Sequence, residues 1–348
     1  MVAFEDAYFS QRLGEEADWK VLAGYRIFNW TATEAFHPAD VVNSRNFDSN
    51  VENLEKKGEL TLELERTLED GSLNFYYWPR FEEPDYPGKE SRLGSGIDLE
   101  RPVWIDQGDA TSNQNWGVQY GARFQYTLDD ADFSFHYLNH IDRNFPVVGT
   151  HNHLTVGTVT TPLELRFRPY FFRVSQMGGT LVYNYQGLQF KVEAAHRNFE
   201  QKVQIFDVGN QGLRQPDDHS EVALGLEYGL SHESSGAEST LLLEYQTMFG
   251  VSQARAEEMS VFQNDVLLAW RYAFNDTMGK ELFLSFIFDI EREHEFLYNL
   301  SYQQRLSDVW KYKTGVRIYD APKKKTTAQG LELLDKANHA FFNLIRYF

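Results

Sequence analysis

Trp116-Gly117-Val118-Gln119-Tyr120-Gly121-Ala122-Arg123-Phe124-Gln125-Tyr126-Thr127-Leu128 carries an apolar or aromatic residue at every even position and a polar or small one at every odd position. Successive side chains of a β-strand point to opposite faces, so the run reads as one strand with an apolar face and a wet face. Ordinary strands stop after about five or six residues, whereas a tilted strand crossing a bilayer needs about 9 to 11. The same split recurs along the chain in Leu60-Leu62-Leu64, Val222-Leu224-Leu226-Tyr228-Leu230, Val266-Leu268-Trp270-Tyr272-Phe274 and Leu282-Leu284-Phe286-Phe288-Ile290. It continues in Phe296-Tyr298-Leu300-Tyr302 and around Trp310, Tyr312, Val316 and Ile318.

Between the runs, tight connections such as Asp129-Asp130, Gln186-Gly187 and Ser307-Asp308 alternate with long ones near 31–57, 82–113, 143–162, 199–218, 250–262 and 320–337. Tight hairpins at one end and extended loops at the other are the plan of an outer-membrane barrel. The expected fold is therefore all-β: a single transmembrane antiparallel up-and-down β-barrel over residues 1–348, with about 15 strands counted. Strands of such a barrel come in even numbers, so about 16 are expected when complete, with an N-terminal strand and a signal peptide preceding residue 1.

Composition agrees. The chain holds 27 Phe, 19 Tyr and 7 Trp, yet its mean hydropathy is only −0.50. Lipid-facing aromatics alternating with polar inward residues produce that combination. No apolar run approaches the about 18 residues of a membrane helix. A net charge of −18 argues against nucleic acid as a partner, and the absence of cysteine excludes disulfides, thiolate metal sites and cysteine nucleophiles.

The polar faces collect Glu63, Glu65, Arg123, Lys191, Glu193, Arg197, Glu227, Glu244, Arg271, Asp289, Arg305, Lys311, Lys313 and Arg317. So many charges do not fill a dry core; they require a hydrated lumen, or a salt-bridged interior closed by an inserted loop. Glu63, Glu65, Glu227 and Glu244 lie on other strands than Arg305, Lys311, Lys313 and Arg317. Facing each other across a lumen, the two sets would create a transverse field that favours zwitterionic or dipolar solutes.

The chain ends Ala340-Phe341-Phe342-Asn343-Leu344-Ile345-Arg346-Tyr347-Phe348. Alternating apolar positions that end on a carboxyl-terminal Phe resemble the signal read by the barrel-insertion machinery, with Phe342, Leu344 and Phe348 as its anchors. Near the start, Trp19 to Trp30 leads into Phe36-His37-Pro38-Ala39-Asp40-Val41-Val42-Asn43-Ser44-Arg45-Asn46, after Phe4-Glu5-Asp6-Ala7-Tyr8. These segments resemble a proteobacterial outer-membrane barrel family, domain of unknown function 1302, whose members carry R-E-A-Y, then W-G, then D-V-V-N-P-x-D. Thr31, Ser44 and Asn46 depart from that pattern, so an alginate-export-like sister family is the alternative. The resemblance implies a channel or exporter. Trp30, Pro38, Asp40 and Asn43 then mark a loop motif with two readings, one that stabilises the loop through side-chain-capped turns and one that narrows a pore.

No G-x-S-x-G elbow, H-E-x-x-H or Walker loop is present, so no catalytic site, metal or cofactor is expected. The expected function is a porin-like outer-membrane channel for passive transport of a polar or amphiphilic solute. The alternative is an exporter or scaffold for polysaccharide or lipid that works with a periplasmic partner. Outer-membrane lipid and lipopolysaccharide are the expected surroundings; Lys323-Lys324-Lys325 reads first as part of a solvated loop, with contact to lipopolysaccharide phosphates as its functional alternative.

Overall fold

The computed structural model describes residues 4–347 apart from 51–52, 95, 106–110, 113–114, 145, 157–158, 200–203, 207–211, 293–294, 322–329 and 336. Among the described residues eighteen strands join in one sheet; Val103–Ile105, Thr111–Ser112 and Val147–Val156 extend it within the long loops, and the other fifteen form its antiparallel circuit. They are β1 (Ala7–Leu13), β2 (Trp19–Arg26), β3 (Glu59–Leu68), β4 (Gly71–Arg80), β5 (Trp116–Leu128), β6 (Ala131–Ile141), β7 (Val159–Tyr185) and β8 (Leu188–Phe199). The circuit continues with β9 (His219–His232), β10 (Ala237–Phe249), β11 (Asn264–Ala273), β12 (Glu281–Asp289), β13 (Phe296–Arg305), β14 (Trp310–Asp320) and β15 (His339–Arg346). Each pairs antiparallel with the next. The outermost strands, β1 and β15, therefore run in the same direction.

Expected tight turns join the strands at one end. At Gln186-Gly187 both residues have positive φ, 49° and 82°, the backbone of a type I′ hairpin. Long connections gather at the other end and carry structure that alternation does not reveal: a hairpin of Arg45–Asn50 with Asn53–Lys56, and a helix α1 (Gln253–Met259). The last long connection carries a 3₁₀ turn at Gly330–Leu334.

The sheet is curled into a barrel around one loop. Phe28 packs on Tyr76 of β4 with ring centroids 5.4 Å apart, while Glu34 lies 3.8 Å from Arg271 of β11. Segment 27–44 thus touches strands from both halves of the circuit and lies inside the barrel.

Forty large apolar or aromatic side chains among the described residues are exposed, including Trp116, Val118, Leu243, Leu268 and Leu284. A belt of this extent far exceeds what a water-soluble surface carries and matches a lipid boundary. Outward aromatic groups cluster at both rims: Phe124, Tyr126 and Phe133 beside the short turns, and Phe286, Phe296 and Tyr298 beside the long loops. Inside, β9 to β14 contribute Ala223, Leu242, Leu267, Ile287, Leu297 and Tyr319 to an apolar cluster around Phe36.

Candidate functional site

Segment 27–44 leaves β2, enters the barrel and returns to the 45–56 hairpin, and the four residues of the loop motif hold it there. Asn43 fastens both ends, accepting the Phe28 N–H at 2.7 Å and donating to the Arg26 carbonyl at 3.2 Å and the Lys57 carbonyl at 2.8 Å. Asp40 accepts the Trp30 N–H at 3.2 Å and pairs with Arg45 and Lys56. Burial alone would raise the Asp40 carboxyl, but these two cations outweigh it and hold it below its ordinary range. Trp30 packs against Tyr76 and His136, with the Arg123 guanidinium 4.9 Å from its ring, and the Pro38 carbonyl accepts from Arg197 at 3.0 Å.

The far wall secures the tip of the loop through two buried carboxylates. Glu193 accepts the Thr33 N–H at 2.9 Å, the Thr33 hydroxyl at 2.8 Å, the Ala39 N–H at 3.4 Å and the Ala32 N–H. Glu244 accepts the N–H groups of Glu34 and Ala35. Glu34 in turn lies 3.5 Å from Lys191, which pairs with Glu227 at 2.6 Å. Satisfying buried donors with ionised acceptors makes these strong contacts.

The loop divides the lumen. An outer cavity of about 180 Å³ is lined by Ala35, His37, Pro38 and Arg197, and an inner cavity of about 230 Å³ by Glu34, Ala35, Arg271 and Arg317. Ala35 faces both.

The remaining expected lumen charges fall into three groups. Glu63 and Glu65 point inward but meet Arg26 and Lys20 of the adjacent β2. Asp289 caps the outer turn, accepting the N–H groups of Glu291 at 2.7 Å and Arg292 at 2.9 Å. Lys313 and Arg317 join Arg271 around the inner cavity, whereas Arg305 and Lys311 form a register pair at the short-turn end. The acidic set is thus engaged locally with backbone or with neighbouring cations, and β3 lies four strand steps from β14 across the seam. The simple opposition of acidic and basic walls expected from the sequence is replaced by a local basic cluster. Phe342 and Leu344 stand exposed on the outer face; Phe348 and Lys323 to Lys325 lie outside the described residues.

Sequence reading missed a second lock. Arg143 reaches Glu59 through two hydrogen bonds of 2.9 and 3.0 Å, both side chains being buried, and the Ser44 N–H donates to the same carboxylate at 2.8 Å. Arg197 pairs with Asp142 at 3.4 Å and with Glu221. Strand parity would have found Glu59 and Glu221, which share the polar faces of Glu63 and Glu193 partners. Nothing local marks Asp142 or Arg143, which lie beyond the end of β6. We expect Glu59→Ala to destabilise the barrel by about 3–5 kcal/mol, because it strands a buried guanidinium, and Glu59→Leu with Arg143→Met to cost much less. Urea unfolding in detergent checks both; equal losses would show that the cost comes from losing the ion pair itself and not from stranding its guanidinium.

Compared with known proteins, the chain matches no family model and no curated protein. The likeness of its opening segment to a named family therefore remains one of short motifs. Solved structures include Pseudomonas aeruginosa OccK10 (OpdN), 8% identical with a TM-score of 0.47, covering 98% of this chain and 82% of that one. An anion-selective porin from Comamonas acidovorans is 13% identical with a TM-score of 0.42, covering 97% and 83%. A mutant of Rh. blastica porin is 11% identical with a TM-score of 0.42, covering 89% and 83%. Likenesses this distant carry no argument about what this chain does.

Proposed function

We propose that this protein is a porin-like channel of the bacterial outer membrane, through which a polar or amphiphilic solute passes by diffusion, and that it has no catalytic role. The observation that carries the reading is the enclosed segment 27–44, with Ala35 between an outer and an inner cavity. A barrel filled by its own core needs no such partition; a conduit with a constriction does. The exposed apolar belt and the aromatic rims support the membrane setting, and the exposed Phe342 and Leu344 suit recognition by the insertion machinery.

Planar-bilayer recording of the detergent-refolded protein tests this. Small ohmic steps are expected, and neutralising Lys311, Lys313 and Arg317 to Gln should shift the reversal potential toward cations by a several-fold change in permeability ratio. An unchanged reversal potential would remove those residues from the pathway. The depth at which the loop is anchored also favours a second reading, a conduit for polysaccharide or lipid opened by a periplasmic partner. That version of the protein is folded and heat-modifiable but silent alone.

A further inference from the structure

We propose that the outer cavity binds one ring of a neutral sugar, an inference that rests on the channel reading above and names its solute class. The cavity is lined by Ala35 and Pro38 of the loop, by Phe47 and Leu54 of the hairpin, and by Ser260 and Phe262 after α1. Its charged groups already have counter-charges. Arg45 pairs with Asp40 at 3.3 Å, Arg197 pairs with Asp142 at 3.4 Å and with Glu221, and His37 lies 3.6 Å from Glu193. A charged solute entering this space would lose hydration and meet no uncommitted opposite charge among the described residues. A neutral solute avoids that cost.

The uncharged part of the wall has two textures. Phe47 and Phe262 are partly exposed, and each ring is held in place: Phe47 stacks on Tyr86 with centroids 5.1 Å apart, and Phe262 meets the buried Phe36 edge-on at 5.8 Å. The electron-rich faces of such rings receive C–H groups, and rings already fixed lose little freedom on binding. Beside them stand Asn144, Gln246 and Ser260. The Gln246 side-chain N–H donates to the Phe262 carbonyl at 3.0 Å and the Ser260 hydroxyl donates to the same carbonyl at 2.8 Å, so each keeps an acceptor oxygen. Asn144 adds an acceptor and two donors. A ligand hydroxyl, donor and acceptor at once, suits this mixture; an ammonium only donates and a carboxylate only accepts. A sugar ring carries such hydroxyls around its rim and C–H groups on its faces. The volume of about 180 Å³ is room for about six waters at about 30 Å³ each, which limits the ligand to a single ring. The bound ring rests on the outer side of Ala35, directly before the constriction.

The test is equilibrium dialysis of radiolabelled glucose against the full protein in a detergent without a sugar headgroup, with glucuronate, glucosamine and cyclohexanol as competitors. Saturable retention of glucose is expected. Each competitor should displace it about tenfold less well than unlabelled glucose, the two charged rings for want of a counter-charge and cyclohexanol for want of hydroxyls. Phe47→Ala should weaken retention by about tenfold, while Phe47→Tyr, which keeps the ring, should leave it within about threefold. Heat-modifiability on gels verifies that each variant is folded, and the competition series on the unmodified protein decides the matter if one is not. No saturable retention, displacement by any of the three competitors as strong as by glucose, or indifference of a folded barrel to Phe47→Ala would each overturn the proposal. Because retention is read without conduction, a silent barrel that retains glucose refutes free conduction alone, and a conducting barrel that does not retain it refutes this inference alone.

Discussion

Glu193→Gln combined with Glu244→Gln is expected to turn a nearly closed barrel into one with frequent large openings. The two carboxylates accept six donors from the loop tip, at Ala32, Thr33 twice, Glu34, Ala35 and Ala39. An amide keeps the shape but loses the charge, and it turns half of each acceptor pair into a donor aimed at other donors. Losing part of six charge-assisted bonds weakens the closed state by about 4 kcal/mol, or about 10³-fold in the closed-to-open ratio. The base of the loop stays fixed by Asn43 and Asp40, so the tip swings while the barrel holds. Phe36 remains in its apolar cluster and resists, which makes the triple variant with Phe36→Ser the strongest opener. Single-channel recording reads the outcome directly. Traces indistinguishable from the unmodified protein would show that segment 27–44 is a fixed part of the wall and that the route, if any, runs elsewhere.

That prediction rests on contacts the sequence does not display, and the reason is the range of the signal. Alternation is local: whether Leu64 and Glu65 face opposite ways depends on pleat alone, so strand parity, the placement of tight turns and the lipid-facing side were legible from single segments. The long β7 and the tight turn at Gln186-Gly187 were legible for the same reason. What a polar inward residue meets depends on closure of the whole sheet. Glu193 and Glu227 look alike in their strands, yet one accepts four donors from a loop some 160 positions away and the other pairs with Lys191 of the adjacent strand. The loop motif could be recognised by Trp30, Pro38, Asp40 and Asn43, but its entry into the lumen could not, because the donors that hold it are backbone N–H groups with no sequence signature. The inward apolar sector was missed because Leu267, Ile287 and Leu297 adjoin outward apolar residues and blur the alternation.

Leu268→Arg is expected to have the other large effect, and its sign separates lipid from water. Leu268 lies midway along β11, 46% exposed, in register with Leu243 on one side and Phe286 on the other. An arginine there cannot reach the lumen, because the pleat points it outward, and mid-strand it is far from both interfaces. In a bilayer such a substitution costs about 2–4 kcal/mol. Arg271, three residues further along the same strand, is tolerated because the opposite parity turns it inward toward Glu34. Were the outer face bathed in water, Leu268→Arg would be neutral or would improve solubility, since it breaks an exposed apolar patch. Reversible urea unfolding in lipid vesicles measures the difference: a loss of that size, with a smaller loss for an arginine placed at the rim position Leu306, establishes a depth-dependent lipid environment. Equal, negligible effects at both positions would return the apolar belt to an unexplained feature and withdraw the membrane channel with it.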